Sequence, residues 1–196
     1  METDIETPSP AEQLPRLETE RLQLKQSAAA DLDAMMALDS DPEVMRFIRT
    51  PITEDTQQDR LVQLVGRVDR DYGPGLGFWS VFPKTKPERF LGFVLLTILD
   101  GNSEVEIGWR FARTTWGKGY ATEAAQAVLD YGFRDLALDP IVAVIRPGNR
   151  RSLAVAEKLG LNRDGTRKAY GKDLPFYRLN RSEWLAARER PAQSGL

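Results

Sequence analysis

Residues 113–125 read Arg-Thr-Thr-Trp-Gly-Lys-Gly-Tyr-Ala-Thr-Glu-Ala-Ala. An apolar strand, Val105 to Phe111, runs into them and an alanine-rich helix runs out. The small residues in between let bare backbone N–H groups point at a ligand. Together with the positive end of the helix dipole, they make a natural cradle for phosphate oxygens.

The pattern can be followed outward from this turn. The helix is predicted from about Gly117 to Leu136, with Ala121, Ala125, Val128, Leu129 and Gly132 at helical spacing. Ile141 to Ile145 reads as a buried strand, and Asn149 to Leu159 as a helix ended by a left-handed cap at Gly160. Tyr170, Phe176, Tyr177 and Leu179 suggest two closing strands, and Trp184 a short terminal helix. Upstream, Phe78–Phe82, Phe90–Leu99 and Val105–Phe111 read as three strands. Turns at Pro83–Pro87 and Asp100-Gly101-Asn102 separate them, the second suited to a tight antiparallel hairpin. Two helices precede these strands. Ser27 is placed to cap the first, which buries Leu32, Met35, Met36 and Leu38 before Pro42 interrupts it. The second starts at Thr53 or Asp55, runs through Leu61, Leu64, Val65 and Val68 to about Tyr72, and ends at Gly73-Pro74-Gly75. Arg21 to Lys25 alternates as a short strand with Leu22 and Leu24 on one face. The order β-α-α-β-β-β-α-β-α-β-β describes a mixed α+β single domain. Residues 1–16, with Pro8, Pro10 and Pro15 among acidic and small residues, read as a disordered leader.

Composition removes whole classes of chemistry. The chain has 196 residues and neither cysteine nor histidine. Disulfides, thiolate metal sites, cysteine nucleophiles, Ser-His-Asp triads and most zinc sites are thereby excluded. An acid or base must come from Glu, Asp, Tyr, Lys, Ser or water. A net charge of −2 and a pI of about 5.4 argue against direct nucleic-acid binding and tolerate a cationic acceptor. No apolar run reaches membrane-spanning length and no signal-peptide pattern opens the chain, so a cytoplasmic location is expected.

Three phosphate loops compete for residues 116–121. A Walker loop needs Gly five residues before its Gly-Lys pair and Ser or Thr after it, where this chain has Ala112 and Gly119. A dinucleotide fingerprint starting at Gly117 needs a third glycine where Thr122 stands. Trp116-Gly117-Lys118-Gly119-Tyr120-Ala121 resembles instead the acyl-CoA pyrophosphate loop of the GNAT acetyltransferases, (Gln/Arg)-x-x-Gly-x-(Gly/Ala). Trp116 departs from the commonest first residue, but the fuller string through Ala124 is similar to the branch containing the ribosomal-protein N-terminal acetyltransferases. Three further strings resemble the family in its own order. They are Thr19-Glu20-Arg21-Leu22-Gln23-Leu24, Glu106-Ile107-Gly108-Trp109, and Asn149-x-x-Ser152 with Glu157-Lys158-Leu159-Gly160. On the bare residues, the loop also reads as a glycine turn that only lets strand and helix pack closely.

The resemblance implies a GNAT-type α+β domain over residues 17–186, with a mixed antiparallel and parallel sheet flanked by helices and a flexible tail at 187–196. It implies direct transfer from acetyl-CoA, without a metal, to an amine on a small molecule or a protein N-terminus. The donor set it implies is the backbone of Gly108, Trp109, Arg110 and Phe111 for the pantetheine arm, Trp116, Gly117, Lys118, Gly119, Tyr120, Ala121 and Thr122 for the pyrophosphate, and Asn149 and Ser152 on the following helix. Glu106 is the candidate base, with Glu104 at the same strand parity as the spare. Burial among Val105, Ile107 and Trp109 would raise the pKa of Glu106. Ser152 is the candidate thiolate partner, because the tyrosine many members carry four residues later is Ala156 here. Tyr170 and Tyr177 are alternative acids, each also readable as core. Asn149 reads equally as a helix cap. Arg113, Lys118, Arg150 and Arg151 could meet phosphates or be solvated. Phe47, Tyr72 and Trp79 are candidate acceptor linings. A non-catalytic acyl-CoA-binding module is the alternative function. The acceptor and the oligomeric state are left open.

Overall fold

The strand-forming runs assemble into one eight-stranded sheet in a computed structural model that describes residues 14–48 and 57–189. In chain order the elements are β1 (Leu17–Glu18), β2 (Leu22–Gln26), α1 (Leu32–Ser40), α2 (Pro42–Met45), α3 (Gln57–Val68), β3 (Gly77–Pro83), β4 (Gly92–Ile98) and β5 (Val105–Phe111). Then come α4 (Tyr120–Arg134), β6 (Ile141–Val144), α5 (Arg150–Lys158), β7 (Asn162–Ala169), β8 (Lys172–Leu179) and α6 (Arg181–Glu189). The spatial order is β1-β2-β3-β4-β5-β6-β8-β7, antiparallel throughout except for the parallel pair β5·β6. The crossover through α4 makes that pair parallel, as a strand–helix–strand unit does. The α+β class and the mixed sheet are as expected.

Both faces of β3 are covered, so all seven of its residues are buried. Trp79 and Val81 join Val94, Leu96 and the apolar stripe Ala124, Ala125, Val128 and Leu129 of α4. Phe78 and Phe93 point the other way, onto Met35 and Leu38 of α1 and Leu64 of α3. Each large side chain so buried contributes roughly 1.5–3 kcal/mol relative to exposure. α4 therefore clamps one face of the sheet, while α1 and α3 close the other, with α3 reaching the cavity described below through Arg67.

Local differences from expectation have local causes. α4 begins at Tyr120 rather than Gly117, because Gly117 and Gly119 are left-handed (φ 76° and 80°). Ser27 caps nothing. Its hydroxyl meets Ser80 Oγ at 2.9 Å, and Asp31 accepts the Ala28 N–H in its place. Pro42 starts α2 after an Asp41 cap. The hairpin at Asp100-Gly101-Asn102 is antiparallel but wider than a two-residue turn, closed by Leu99 N–H to Glu104 C=O at 2.9 Å. The start of the second helix at Thr53 or Asp55 lies outside the described residues, as do 1–13 of the leader and 190–196 of the tail. Leu14 N–H donates to Gln26, and α6 continues to Glu189. Among the described residues no helix is long and apolar enough to cross a membrane.

Candidate active site

β5 and β6 run side by side only at Val105↔Ile141 and Glu106↔Val142. Beyond them β5 continues to Phe111 against β4, while β6 ends at Val144 against β8. The strands part, and a cavity of about 880 Å³ lies along the opening. Gly108, Trp109 and Arg110 line it from β5, Ala143 to Arg146 from β6, and Asn149 and Ser152 from the start of α5.

Backbone phase decides which strand atoms face this opening. Leu99 N–H bonds to Glu104 C=O and Ala112 N–H to Leu91 C=O, each at 2.9 Å. In an antiparallel pair the bonded partners recur every second residue. Glu106, Gly108 and Arg110 therefore spend their backbone groups on β4, and Ile107, Trp109 and Phe111 turn theirs to the cleft. The Phe111 carbonyl accepts the Trp116 indole N–H at 2.8 Å, and the Phe111 ring is core. The strand edge expected at Gly108–Phe111 thus narrows to Trp109 and the N–H of Phe111.

The glycine loop is built from backbone. Left-handed φ at 117 and 119 suits glycine, and a Cβ on Gly119 would come within 3.3 Å of Arg21 Nη2. The first bond of α4 is Glu123 N–H to Gly119 C=O at 3.0 Å. The N–H groups of Tyr120, Ala121 and Thr122 therefore have no acceptor within the helix. These oriented donors and the bare glycines fit an anion such as a pyrophosphate. Side chains here serve the loop itself. Arg21 donates to Glu123 Oε2 at 2.7 Å and to the Lys118 carbonyl at 3.0 Å, and lies over the Tyr120 ring at 4.8 Å. Lys118 Nζ donates to the Thr114 carbonyl at 2.9 Å. Trp116 sits beneath Arg151 of α5 at 4.2 Å, so it braces loop to helix. Arg113 pairs with Asp41 at 3.4 Å, and Arg150 is exposed. Asn149 caps α5 by accepting the Ser152 N–H at 3.2 Å. One turn later Ala156 is fully buried in the core.

Across the cavity the site is made of side chains. Glu106 is 6% exposed and lines the cavity where β5 and β6 part. Burial pushes its carboxyl up to about 7, against the opposing pull of the Tyr170 hydroxyl and the Val144 backbone N–H, with Asp100 adding to the rise. Tyr170 donates from its hydroxyl to Glu106 Oε2. Burial and the same carboxylates raise the phenol, keeping it a donor. Glu104 lies just before β5 and pairs with Arg167 at 3.1 Å, outside the cavity lining. Tyr177 is core, as one of its two readings had it. Phe47 and Tyr72 line the cavity, but Trp79 does not: it is buried against Tyr131, with its indole N–H on the Pro15 carbonyl at 3.0 Å.

Behind Arg110 of this wall lies a buried ion cluster that no local sequence pattern announces. Asp39 of α1, fully buried, holds Arg60 of α3 and Arg110 of β5 together. Burial alone would raise the Asp39 carboxyl; the two guanidinium groups outweigh it and hold it below its ordinary value. Arg110 also lies 5.2 Å over the Phe93 ring. The rim carries both signs, with Arg67, Arg70 and Arg146 beside Asp71 and Asp100, so the acidic balance of the whole chain does not extend to the cavity.

Known proteins share this architecture and sequence. The family model described as an acetyltransferase (GNAT) domain matches residues 21–162. The uncharacterized protein YkkB of Bacillus subtilis is 34% identical over 165 residues, covering 83% of this chain and 94% of its own. The uncharacterized N-acetyltransferase p20 of Bacillus licheniformis is 32% identical over 158 residues, covering 80% and 87%. Neither name specifies an acceptor. A GNAT-family acetyltransferase structure from Bacillus anthracis superposes with a TM-score of 0.69 at 28% identity, over 86% of this chain and all of that one. With the sheet, the glycine loop and these relatives in agreement, the chain belongs to the GNAT family and is an acetyltransferase, of a family whose acyl donor is acetyl-CoA.

Proposed function

We propose that this enzyme moves the acetyl group directly from acetyl-CoA to a primary amine, that Glu106 accepts the amine's proton, and that Ser152 donates to the departing thiolate. The observation that supports this reading best is the placement of Glu106. It is a buried carboxyl raised to about 7, lining the cavity where two strands separate. A base with a pKa near the working pH combines the right protonation state with adequate strength.

Acetyl-CoA, when bound, supplies the activated acyl group. The N–H groups of Tyr120, Ala121 and Thr122, with those of Gly117, Lys118 and Gly119, hold the pyrophosphate. Trp116 acts by keeping the loop against α5. Trp109 offers its N–H and C=O to the pantetheine amides, as a strand edge does to an extended ligand. Asn149 fixes the start of α5 and so the position of Ser152. The acetyltransferase domain spans residues 17–186. The acceptor is a small-molecule amine or a protein N-terminus, with no direct part for nucleic acid or membrane. The string Trp116–Ala124, with Ser152 and Ala156, supports the ribosomal-protein branch as the finer reading.

The test is thiol release from acetyl-CoA across an amine panel that includes N-terminal peptides of ribosomal proteins. Release with one class of acceptor supports the reading and names the acceptor. Binding of acetyl-CoA without thiol release across the whole panel overturns it.

A further inference from the structure

The β7–β8 connection breaks a local rule. Ala169 pairs with Lys172, and the two residues between, Tyr170 and Gly171, have φ of 52° and 69°. A two-residue hairpin turn with both central residues left-handed favours Asn, Asp or Gly at the first position. A tyrosine held there is strained, and such outliers concentrate at functional sites. Packing does not explain the choice, since Tyr170 is 52% exposed. Its polar atoms are committed. Its N–H donates to Asp100 Oδ2 at 2.8 Å, and its hydroxyl donates to Glu106 Oε2. The two turns are tied together nearby by Asn102 Nδ2 to the Lys168 carbonyl at 3.3 Å and by Arg167 to Glu104 at 3.1 Å.

We propose that Tyr170 is a positioning residue: its hydroxyl fixes Oε2 of the Glu106 carboxyl and so sets how the carboxylate is aimed at the acceptor amine. This rests on the reading of Glu106 as the base. Glu106 is faced by the Tyr170 hydroxyl from the β7–β8 turn, by the Val144 N–H from β6 and by Asp100 from the β4–β5 turn. Arg110 shares its strand face but is engaged with Asp39. Arg67 of α3 acts on the phenol. The Tyr170 and Val144 donors favour the ionised carboxylate, while Asp100 and burial oppose it.

The experiment compares Tyr170→Phe, Tyr170→Asn and Glu106→Gln by thiol release from pH 5.5 to 9.5 and by melting temperature. Tyr170→Phe should move the rising limb of kcat up by about one pH unit, lower kcat at pH 7 about fivefold, and leave KM for acetyl-CoA unchanged. The rate should recover toward the parent value at pH 9. Tyr170→Asn should show the same kinetic shift while melting about 2–4 °C above Tyr170→Phe, because both lose the hydroxyl bond and only asparagine relieves the strained turn. Adding Tyr170→Phe to Glu106→Gln should cost nothing more. An unmoved limb in Tyr170→Phe overturns the positioning role while Glu106→Gln remains slow. If Glu106→Gln itself keeps both rate and limb, the base reading falls and this inference with it.

Discussion

The two sides of the cavity are made of different materials. The proposed donor side, residues 116–122 with the start of α5, is backbone: left-handed glycines, N–H groups without an acceptor in the helix and a capping asparagine. The proposed acceptor side is side chains: Glu106 under Tyr170, with Asp39 between two arginines buried behind it. Backbone geometry is set by neighbours in sequence and tolerates change in most side chains. The acceptor wall is set by residues far apart in the chain, and each contact depends on one partner. Donor binding should therefore be robust to side-chain substitution and sensitive to glycine replacement, with the reverse on the acceptor side.

Substitutions can break this contrast, and Asp39→Ala should do most. It leaves two guanidinium groups buried without their anion, at a cost of about 3–5 kcal/mol. Urea midpoints measure the loss, and replacing Arg60 and Arg110 with Met in the same chain should restore part of it. Glu106→Gln comes next, with kcat lower by about 10²–10³ and acetyl-CoA affinity unchanged. The same variant has a stability signature. The folded chain holds the Glu106 proton with a pKa of about 7 against an ordinary value of 4.5, so its stabilising contribution is complete below 4.5 and lost as pH rises through about 7. The parent should lose roughly 3 kcal/mol across that window relative to Glu106→Gln, read from urea melts at pH 5 and pH 8. On the donor side, Gly119→Ala should weaken acetyl-CoA binding about tenfold by straining a left-handed residue, measured by calorimetry, and leave the pH limb in place. Ser152→Ala is the smallest, about three- to fivefold in kcat, as befits one hydrogen bond. A Gly119→Ala enzyme that binds normally, or a Glu106→Gln enzyme that binds acetyl-CoA poorly, would dissolve the contrast.

The same division explains what could be read from the sequence. Local signals carried the donor side: glycine spacing located the loop, Asn149 announced its own cap, and Gly160 closes α5 with φ 82°. β5 lies where apolar alternation put it, Val105–Phe111. The acceptor wall was legible only in part. Alternation placed Glu106 and Glu104 on one face, but the cavity takes one and Arg167 takes the other. Ser27 looked like a cap, because nothing local reveals a second serine 53 residues away. No periodicity connects Asp39 with Arg60 and Arg110, and whole-chain charge said little about the rim. Tyr170 left one readable trace: Tyr-Gly stands where a tight hairpin between two strand runs calls for Asn-Gly.

The short register between β5 and β6 has a mechanical consequence. Through those strands the sheet is two plates joined at a two-residue weld, one plate from β1 to β5 and the other from β6 to β7. On the proposed reading, an arm of acetyl-CoA lying in the gap would act as a splint between the plates. Because the folded chain alone offers this seat, occupancy at a hundred times Kd adds about 2.7 kcal/mol of cohesion. The melting temperature would then report how well the enzyme is supplied with its donor.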